Sequence, residues 1–324
     1  MRYIGKKDIG KIDRSLILNA ISHAYELLLD ENYTMPDRIH VQDGDNTLLL
    51  MPCFESRYFA TKLVSVFPGA PKLGAPAVNG IMTLADNKTG MPLAVMDGAA
   101  LTAERTGAVG GLGVKLLTRE NIETAGLIGA GVQGLAQVRY LLLNRRVKQV
   151  MVFNRSAETA RAKVAILASE YPDVDFKVAQ TSDSLVKACD LVVAATTSKT
   201  PVFSNDPELV KGKTFISVGS FRPDMQEFPD AVIETANRIF VDTPFAAKES
   251  GDLSQPLERG IVKKSQLQSF AQLVREPLSR EQKDGPAFNT LFFKSVGMAL
   301  FDLTVASAIY EFALKNDLGV TLDF

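Results

Sequence analysis

Three glycines at fixed spacing carry the clearest chemical signal in the sequence. Gly129, Gly131 and Gly134 form the pattern G-x-G-x-x-G directly after the short apolar run 125–128. An apolar helical pattern follows, and then a second apolar run at 150–153. A strand, this glycine pattern, a helix and a strand within about thirty residues are typical of a dinucleotide-binding unit. The sequence therefore predicts that this stretch binds a dinucleotide.

Each glycine has a separate physical task in such a unit. Gly129 permits a tight turn at the end of the strand, Gly131 leaves room for a pyrophosphate, and Gly134 lets the helix approach the sheet. The backbone N–H groups of Val132 and Gln133, at the start of the helix, would bind the phosphates. The alternative is a glycine-rich turn that binds nothing, and the flanking strands argue against it.

The residues after the second strand bear on the choice of cofactor. NAD-binding units usually have an acid here, which binds the ribose 2′-hydroxyl. This chain has Asn154, Arg155 and Ser156 instead. Arginine pairs with a 2′-phosphate, which an acid would repel. The pattern favours NADPH as the cofactor and allows NADH, and the alternative is that Arg155 is a solvated surface charge.

The hydrophobic pattern predicts the elements that must position these residues. Short apolar strands are expected at 125–128, 150–153, 175–178, 191–195, 214–218 and 238–242. Helical stretches separate the first four, so the pattern predicts a Rossmann-type, doubly wound parallel sheet. Thr196 and Thr197 follow the fourth strand and would lie at the carboxyl edge of the sheet, where ligands bind. Hydroxyl groups also form turns at such positions, which is the alternative.

The first hundred residues follow a different pattern. A helix is expected over 13–30. Runs of period two then predict strands at 38–41, 47–51, 58–67, 78–85 and 92–96, with a hairpin turn at 86–90. Consecutive hairpins indicate an antiparallel sheet in a second, α+β domain. The next helix, 101–111, is rich in small residues, which let it approach another backbone or a flat ligand closely.

A final helix is expected over about 290–314. Its start contains Lys294, Ser295 and Gly297, where N–H groups could bind a carboxamide or a phosphate. The expected division is a discontinuous domain of residues 1–118 plus 300–324, for substrate binding and dimerisation, and an NAD(P)-binding Rossmann domain of residues 119–299.

Composition and charge restrict the number of domains and the classes of partner that we expect. A chain of 324 residues is long for a single core, which favours two domains. The formal net charge of −1 gives no reason to expect a nucleic acid or membrane partner, and neither an apolar run long enough to span a bilayer nor a signal peptide is evident. Cys53 and Cys189 lack metal-ligand spacing, so we expect a reduced, cytoplasmic protein without a metal site.

Six stretches together resemble the ornithine cyclodeaminase and mu-crystallin family. In family order they are KLVSVFPG from Lys62, LTAERTGA from Leu101, GAGVQG from Gly129, VGSFRPD from Val218, ESGD from Glu249 and KSVG from Lys294. The resemblance covers nearly the whole chain. It implies a homodimer whose antiparallel domains pair across subunits. Members include ornithine and lysine cyclodeaminases, alanine and arginine dehydrogenases, and ketimine reductases.

The resemblance also implies roles for single residues. Arg38 and Arg105 would hold the substrate carboxylate, which suits a planar guanidinium fork. Lys62 would lie beside the reacting carbon and bind the carboxylate or relay a proton. Thr83 would make a minor contact with the substrate or the cofactor. Two further residues would join the cofactor site, Thr106 and Val218. Charged residues are usually solvated, but a lysine in an apolar strand and an arginine among small helix residues need partners.

Phe221 separates the branches of the family. In cyclodeaminases and alanine dehydrogenases that resemble this chain, an aspartate at this position, two residues after Gly219, acts as the base. A phenyl ring accepts no proton, so Phe221 would only line the substrate site, and Asp224 is the nearest substitute base. We therefore predict an NADP(H)-linked reductase of 1-pyrroline-2-carboxylate or 1-piperideine-2-carboxylate. The alternatives are an ornithine cyclodeaminase, another amino-acid dehydrogenase, and a mu-crystallin-like protein that binds NADPH and a small ligand.

Overall fold

The computed structural model describes residues 1–284 and 290–323. Its strands are β1 (Arg2–Ile4), β2 (Ile39–Asp43), β3 (Asn46–Phe54), β4 (Tyr58–Val66), β5 (Val78–Asp86), β6 (Pro92–Asp97), β7 (Thr124–Ile128), β8 (Gln149–Phe153), β9 (Asp175–Val178), β10 (Leu191–Ala194), β11 (Thr214–Ser217), β12 (Arg238–Val241), β13 (Leu267–Ser269), β14 (Leu291–Lys294) and β15 (Val320–Thr321).

The helices alternate with these strands in the second half of the chain. They are α1 (Lys6–Ile9), α2 (Arg14–Asp30), α3 (Gly98–Leu117), α4 (Val132–Asn144), α5 (Ala157–Glu170), α6 (Ser182–Ala188), α7 (Pro207–Val210), α8 (Asp230–Thr235), α9 (Ala246–Glu249), α10 (Gly251–Glu258), α11 (Phe270–Arg275), α12 (Arg280–Asp284) and α13 (Ala299–Lys315). Short 3-10 turns occupy Ala70–Leu73 and Lys264–Gln266. The chain divides into a first unit, residues 1–105 and the segment from Met298 onward, and a second unit, Thr106–Gly297.

The first unit is built on a seven-stranded sheet in the order β15-β1-β6-β5-β4-β3-β2. The expected hairpins are present, and adjacent strands from β2 to β6 are antiparallel. The sheet also contains β1, a strand of three residues that the sequence pattern did not predict, which pairs in parallel with β6. Helices α2 and α13 pack against each other, and α13 also packs on β3, β4 and β5. Asp13 starts α2 by accepting the Ser15 N–H at 2.9 Å.

The second unit is built on an eight-stranded parallel sheet in the order β13-β12-β14-β11-β10-β7-β8-β9. From β7 the chain runs outward to β8 and β9, and then returns to add β10 and β11 on the other side of β7. This reversal makes β7 and β10 the topological switch point of a doubly wound sheet, where ligands bind in such folds. The Rossmann-type fold and its six expected strands are confirmed.

The expected helix over 290–314 is wrong in its first part. Leu291–Lys294 is the fully buried strand β14, between β11 and β12, and the helix begins only at Ala299. A short apolar run buried on both faces of a sheet has no alternation, so its periodicity does not distinguish a strand from a helix. Lys294, Ser295 and Gly297 therefore lie at the carboxyl end of a central strand rather than at a helix start.

The small residues of α3 allow close packing in the second unit. A Cβ atom at Gly107 would lie 2.6 Å from Tyr140, and one at Gly111 would lie 2.7 Å from the same side chain. Tyr140 belongs to α4, so the close neighbour of this part of α3 is another helix.

No helix within residues 1–284 and 290–323 is both long enough and apolar enough to cross a bilayer. In the same ranges no three His, Cys, Asp or Glu residues are grouped as a metal site requires. The cytoplasmic location stays a prediction.

Candidate functional site

Strand β4 carries Lys62 into the interior of the first unit. Successive strand residues point to opposite faces of a sheet, and Tyr58, Ala60 and Lys62 share the buried face of β4. Lys62 is only 3% exposed. A lysine at such a position needs an anionic partner, because an unpaired buried charge is strongly disfavoured.

The partner is Asp302, which the sequence reasoning missed. It lies in the first turn of α13 and is completely buried. Its Oδ2 atom is 2.8 Å from Lys62 Nζ, and its Oδ1 atom is 3.1 Å from Arg105 Nε. We call Lys62, Arg105 and Asp302 the cation cluster. The available signal was a single acid within the otherwise apolar run 299–303, which reads Ala-Leu-Phe-Asp-Leu.

The cation cluster contains more positive than negative charge. Two cations share one carboxylate, and the charge of Arg38 also acts on Lys62. Burial lowers the pKa of Lys62 to about 8, Arg105 and Arg38 add to this effect, and Asp302 opposes it. Lys62 can therefore change its protonation state close to neutral pH.

Arg105 keeps part of its guanidinium free. Its Nε atom is the guanidinium nitrogen nearest to Asp302, and among the described residues its two terminal nitrogens have no hydrogen-bond partner. Those two nitrogens form the fork that binds carboxylates in a bidentate manner. The cation cluster can therefore accept an additional anion without giving up the contacts to Asp302.

The structure associates Arg38 with the cation cluster but separates Thr83 from it. Arg38 is half-buried just before β2, within electrostatic range of Lys62. Lys62 pairs with Met82 across the β4–β5 ladder, so these two side chains share one face of the sheet. Thr83 is therefore on the opposite face, where it is exposed and donates a hydrogen bond to the carbonyl of Thr61 at 3.1 Å. Its role stays a prediction.

The glycine loop of the second unit has the geometry that the sequence predicts. Gly129 has φ +97°, and a Cβ there would lie 2.7 Å from the Ala195 carbonyl oxygen. A Cβ at Gly134 would collide with the carbonyl of Gly129, whereas one at Gly131 would meet nothing within 4 Å. Gly131 precedes α4, and its extended backbone leaves open space beside the first N–H groups of the helix. This space is the cradle in which a pyrophosphate would fit.

The residues after β8 have structural contacts that the sequence did not predict. The Asn154 side chain accepts the Ala130 N–H at 3.1 Å and donates to the Ser156 carbonyl at 3.2 Å. Ser156 caps α5 through the Thr159 N–H. Asn154 thus fixes the glycine loop, and Arg155, which is exposed, is the residue of the three that remains available for a phosphate.

A buried carboxylate holds the loops that follow β10 and β11. Glu227 Oε1 accepts the Thr196 N–H, and its Oε2 accepts the N–H groups of Gly219 and Ser220 at 2.9 Å each. A Cβ atom at Gly219 would collide with the Thr196 backbone. The two loops are therefore locked to each other at the carboxyl edge of the sheet.

Two more buried charges complete this arrangement. Lys294 Nζ donates to Ser217 Oγ at 2.7 Å and lies 3.3 Å from Asp252 Oδ2, and Asp252 Oδ1 accepts the Glu227 N–H. We call Glu227, Asp252 and Lys294 the buried network. Burial raises the pKa of Glu227, as does the charge of Asp252, while Lys294 opposes the shift. Lys294 is thus buried at the end of β14, not at the helix start expected for it, and its contact with a cofactor stays a prediction.

The N–H groups expected to bind a ligand near Ser295 are also engaged. Asp242 Oδ2 accepts the Ser295 hydroxyl at 2.7 Å and the N–H groups of Val296 and Gly297 at 2.9 and 2.8 Å. The argument from free helix-start donors is therefore wrong for Ser295 and Gly297. A contact of either residue with a cofactor stays a prediction.

Phe221 and Asp224 lie in the loop after β11. Phe221 is 46% exposed, which leaves its ring accessible. Asp224 forms two hydrogen bonds of 2.9 Å with Arg222 and lies 3.0 Å from Lys199. The hydrogen bond to Lys199 and the charge of Arg222 lower the pKa of Asp224. A carboxylate neutralised by two cations is a weak base, so Asp224 is a poor substitute for the missing aspartate.

The remaining predicted cofactor residues surround the switch point or begin the second unit. Thr197 is exposed after β10, and Val218 follows β11 with its N–H bound to the Ala194 carbonyl at 3.1 Å. Thr106 is buried, and its carbonyl accepts the Gln137 side chain at 2.8 Å. Val218 and Thr197 thus lie at the edge where Rossmann-type sheets bind ligands.

The model of the ornithine cyclodeaminase/mu-crystallin family matches residues 12–317. The chain belongs to this family. A Delta(1)-pyrroline-2-carboxylate reductase of Bacillus cereus is 36% identical over 284 residues, which cover 86% of this chain and 85% of the relative.

Solved structures of the family have the same fold. The Thermococcus litoralis Delta(1)-pyrroline-2-carboxylate reductase, in complex with NADH and L-proline, is 27% identical with a TM-score of 0.90, covering 99% of this chain and 100% of that chain. An archaeal alanine dehydrogenase dimer with bound NAD is 26% identical with a TM-score of 0.89, covering 100% and 99%. The likeness to these solved structures thus extends over nearly the whole of this chain.

Proposed function

We propose that the protein reduces a cyclic ketimine that carries a carboxylate beside the C=N bond, such as 1-pyrroline-2-carboxylate, to the cyclic amino acid. The same chemistry converts 1-piperideine-2-carboxylate to pipecolate. The observation that carries this proposal is the cation cluster, in which Lys62 and Arg105 are buried beside one carboxylate. The names of the Bacillus cereus and Thermococcus litoralis relatives support it.

The residues of the cation cluster suit the two demands of this substrate. The terminal nitrogens of Arg105, assisted by Arg38, bind the substrate carboxylate as a fork. Lys62 donates a proton to the imine nitrogen, and its pKa of about 8 leaves it protonated but acidic enough to give the proton up. The C=N bond becomes CH–NH when a hydride reaches carbon and this proton reaches nitrogen.

The second unit holds the nicotinamide dinucleotide, which supplies the hydride when bound. The open space at Gly131 and the N–H groups of Val132 and Gln133 fit a pyrophosphate. The edge residues Thr196, Thr197 and Val218 line the nicotinamide end. The Thermococcus litoralis structure contains NADH and the archaeal alanine dehydrogenase contains NAD, which supports a nicotinamide dinucleotide in general. The preference for NADPH rests on Arg155 and on the absence of an acid at Asn154.

We also infer a homodimer. The face of the first sheet opposite Lys62 carries an apolar row across four strands, Ile39, Leu50, Leu63 and Ile81. Ile39 and Ile81 are 46% and 44% exposed. An apolar row of this kind is typical of a protein interface. Light scattering should give a mass of two chains for the wild type and of one chain for Ile81→Lys.

The competing functions differ in the catalytic groups that they need and in their net reaction. An ornithine cyclodeaminase must deprotonate an amine, and Phe221 has no proton acceptor while Asp224 is already paired with Arg222 and Lys199. Another amino-acid dehydrogenase would oxidise a linear substrate with net cofactor reduction. A mu-crystallin-like protein would bind NADPH and a small ligand with little turnover.

One assay separates these functions. Purified protein is given 1-pyrroline-2-carboxylate with NADPH or NADH, and separately ornithine with NAD⁺ or NADP⁺, while reduced-nicotinamide absorbance and ammonia are followed. We expect oxidation of the reduced cofactor, accumulation of proline, and no ammonia from ornithine. Steady ammonia release with proline formation would overturn the proposal in favour of a cyclodeaminase.

A further inference from the structure

Asp302 occupies a position that neither substrate nor cofactor chemistry explains directly. It is a fully buried acid in an apolar helix, and each of its oxygens faces a different cation. Removal of a carboxylate from water is unfavourable unless partners compensate for it, and here Lys62 and Arg105 both do so.

The contacts of Asp302 select which part of each cation stays available. Oδ1 lies 3.1 Å from Arg105 Nε, and because no described residue hydrogen-bonds to the two terminal nitrogens, these can bind an incoming carboxylate. Oδ2 faces Lys62 Nζ at 2.8 Å, which holds the ammonium at the end of a flexible side chain. One carboxylate therefore fixes the direction of both substrate-binding cations.

We propose that Asp302 is a positioning residue of imine reduction, which holds the Arg105 fork and the Lys62 ammonium side by side and keeps the lysine proton in place for the imine nitrogen. This inference rests on the proposed function. Asp302 itself need not touch the substrate, because its two oxygens are directed at the cations.

The other charged and titratable groups around the cation cluster include two arginines, a thiol and one acid, Glu104. Arg38 and Arg105 both lower the pKa of Lys62. Cys53 on β3 is electrostatically linked to Asp302, but burial raises the pKa of its thiol to about 12, so it stays neutral. On the adjoining helices, Glu104 lies 3.5 Å from Arg14, and α2 turns apolar residues and Tyr25 inward.

Because Asp302 and Arg105 shift the pKa of Lys62 in opposite directions, their removal should produce opposite changes, which a loss of packing alone would not produce. Asp302 raises the pKa of Lys62, so Asp302→Asn should move the Lys62 titration from about pH 8 to lower pH, by about one unit or more. Arg105 acts in the opposite sense, so Arg105→Met should move the titration to higher pH. Asp302→Glu keeps the charge and should retain most of the wild-type value.

The titration is measurable without substrate. The probe is [13Cε]lysine incorporated into the whole protein, with the Lys62 resonance identified by its absence in Lys62→Arg, and its chemical shift is followed by NMR across the pH range. If Asp302→Asn does not fold, Arg105→Met and Asp302→Glu still report on the same cluster. An unchanged Lys62 titration in Asp302→Asn, or in Arg105→Met, overturns the inference.

Activity provides the second readout. The basic limb of kcat/KM for 1-pyrroline-2-carboxylate should move to lower pH in Asp302→Asn and recover in Asp302→Glu. The matched control is Thr304→Val, which removes a buried hydroxyl from the same helix and should move no limb. Among the described residues, this hydroxyl donates to the Phe301 carbonyl. A wild type that reduces no imine would refute the proposed function, while the NMR titration would still decide the electrostatic role of Asp302.

Discussion

Two buried charge clusters in this protein have opposite compositions. The cation cluster of the first unit has two cations and one carboxylate, Lys62 and Arg105 with Asp302. The buried network of the second unit has one cation and two carboxylates, Lys294 with Asp252 and Glu227. Both are almost free of solvent contact. Burial alone therefore does not distinguish a binding site from a structural one.

The hydrogen bonds make the distinction. In the buried network, the carboxylate oxygens of Glu227 and Asp252 all accept hydrogen bonds, mostly from loop N–H groups and Ser217. In the cation cluster, no backbone N–H of the described residues donates to Asp302, and no described residue hydrogen-bonds to the terminal nitrogens of Arg105. Saturated hydrogen bonding indicates structural support, and an unsaturated excess of cations indicates binding of an anion.

The largest expected effect compares the two lysines. Lys294→Met should destabilise the protein by about 3 to 5 kcal/mol, because it leaves two buried carboxylates without their cation. Lys62→Met should cost no more than about 2 kcal/mol, because Asp302 keeps Arg105 as a partner. The free energy of unfolding from urea titrations measures both variants.

Activity should respond in the reverse order. Lys62→Met should abolish imine reduction while Lys294→Met, assayed at a temperature where it is folded, should keep measurable turnover. Equal destabilisation by the two substitutions would show that both clusters are structural, and the contrast between them would be wrong.

A smaller effect is expected from Arg105→Lys. An ammonium retains the charge but cannot form the bidentate fork, so kcat/KM for 1-pyrroline-2-carboxylate should fall about ten- to a hundredfold. NADH affinity, followed by nucleotide fluorescence, should be unchanged, because the proposed role of Arg105 is to bind the substrate. Loss of nucleotide binding in this variant would place Arg105 in the cofactor site or the structural core instead.

The sequence predicted features whose cause is local. The roles of Gly129, Gly131 and Gly134 depend mainly on one turn and the helix after it. Six strands of the second sheet were predicted from short apolar runs along the chain. Asn154 was located correctly after β8, but its contact with the Ala130 N–H depends on the pairing of two strands and is not visible in the pattern.

The features that sequence reasoning missed depend on distant parts of the chain. Lys62 was recognised, but its partner Asp302 reaches it only because α13 packs on β4. Lys294 was assigned to a helix start because a doubly buried strand such as β14 has no period of its own. Both errors concern contacts that only tertiary packing creates.

The smallest expected effect lies outside both clusters, at Arg155. This side chain follows β8 and is exposed, so water and salt screen its attraction for a 2′-phosphate. Arg155→Ala should therefore lower the preference for NADPH over NADH by at most about tenfold, without changing kcat/KM for the imine at saturating NADH. Ser156→Ala is a control at the adjacent position, because its hydroxyl caps α5 through the Thr159 N–H and carries no charge. The ratio of kcat/KM for NADPH to that for NADH, measured at low and at physiological salt, tests the point, since an electrostatic preference must shrink as salt increases. A wild type that uses both cofactors equally at low salt would remove Arg155 from the cofactor site, and the open cradle at Gly131 would then account for dinucleotide binding without any selection at the 2′ position.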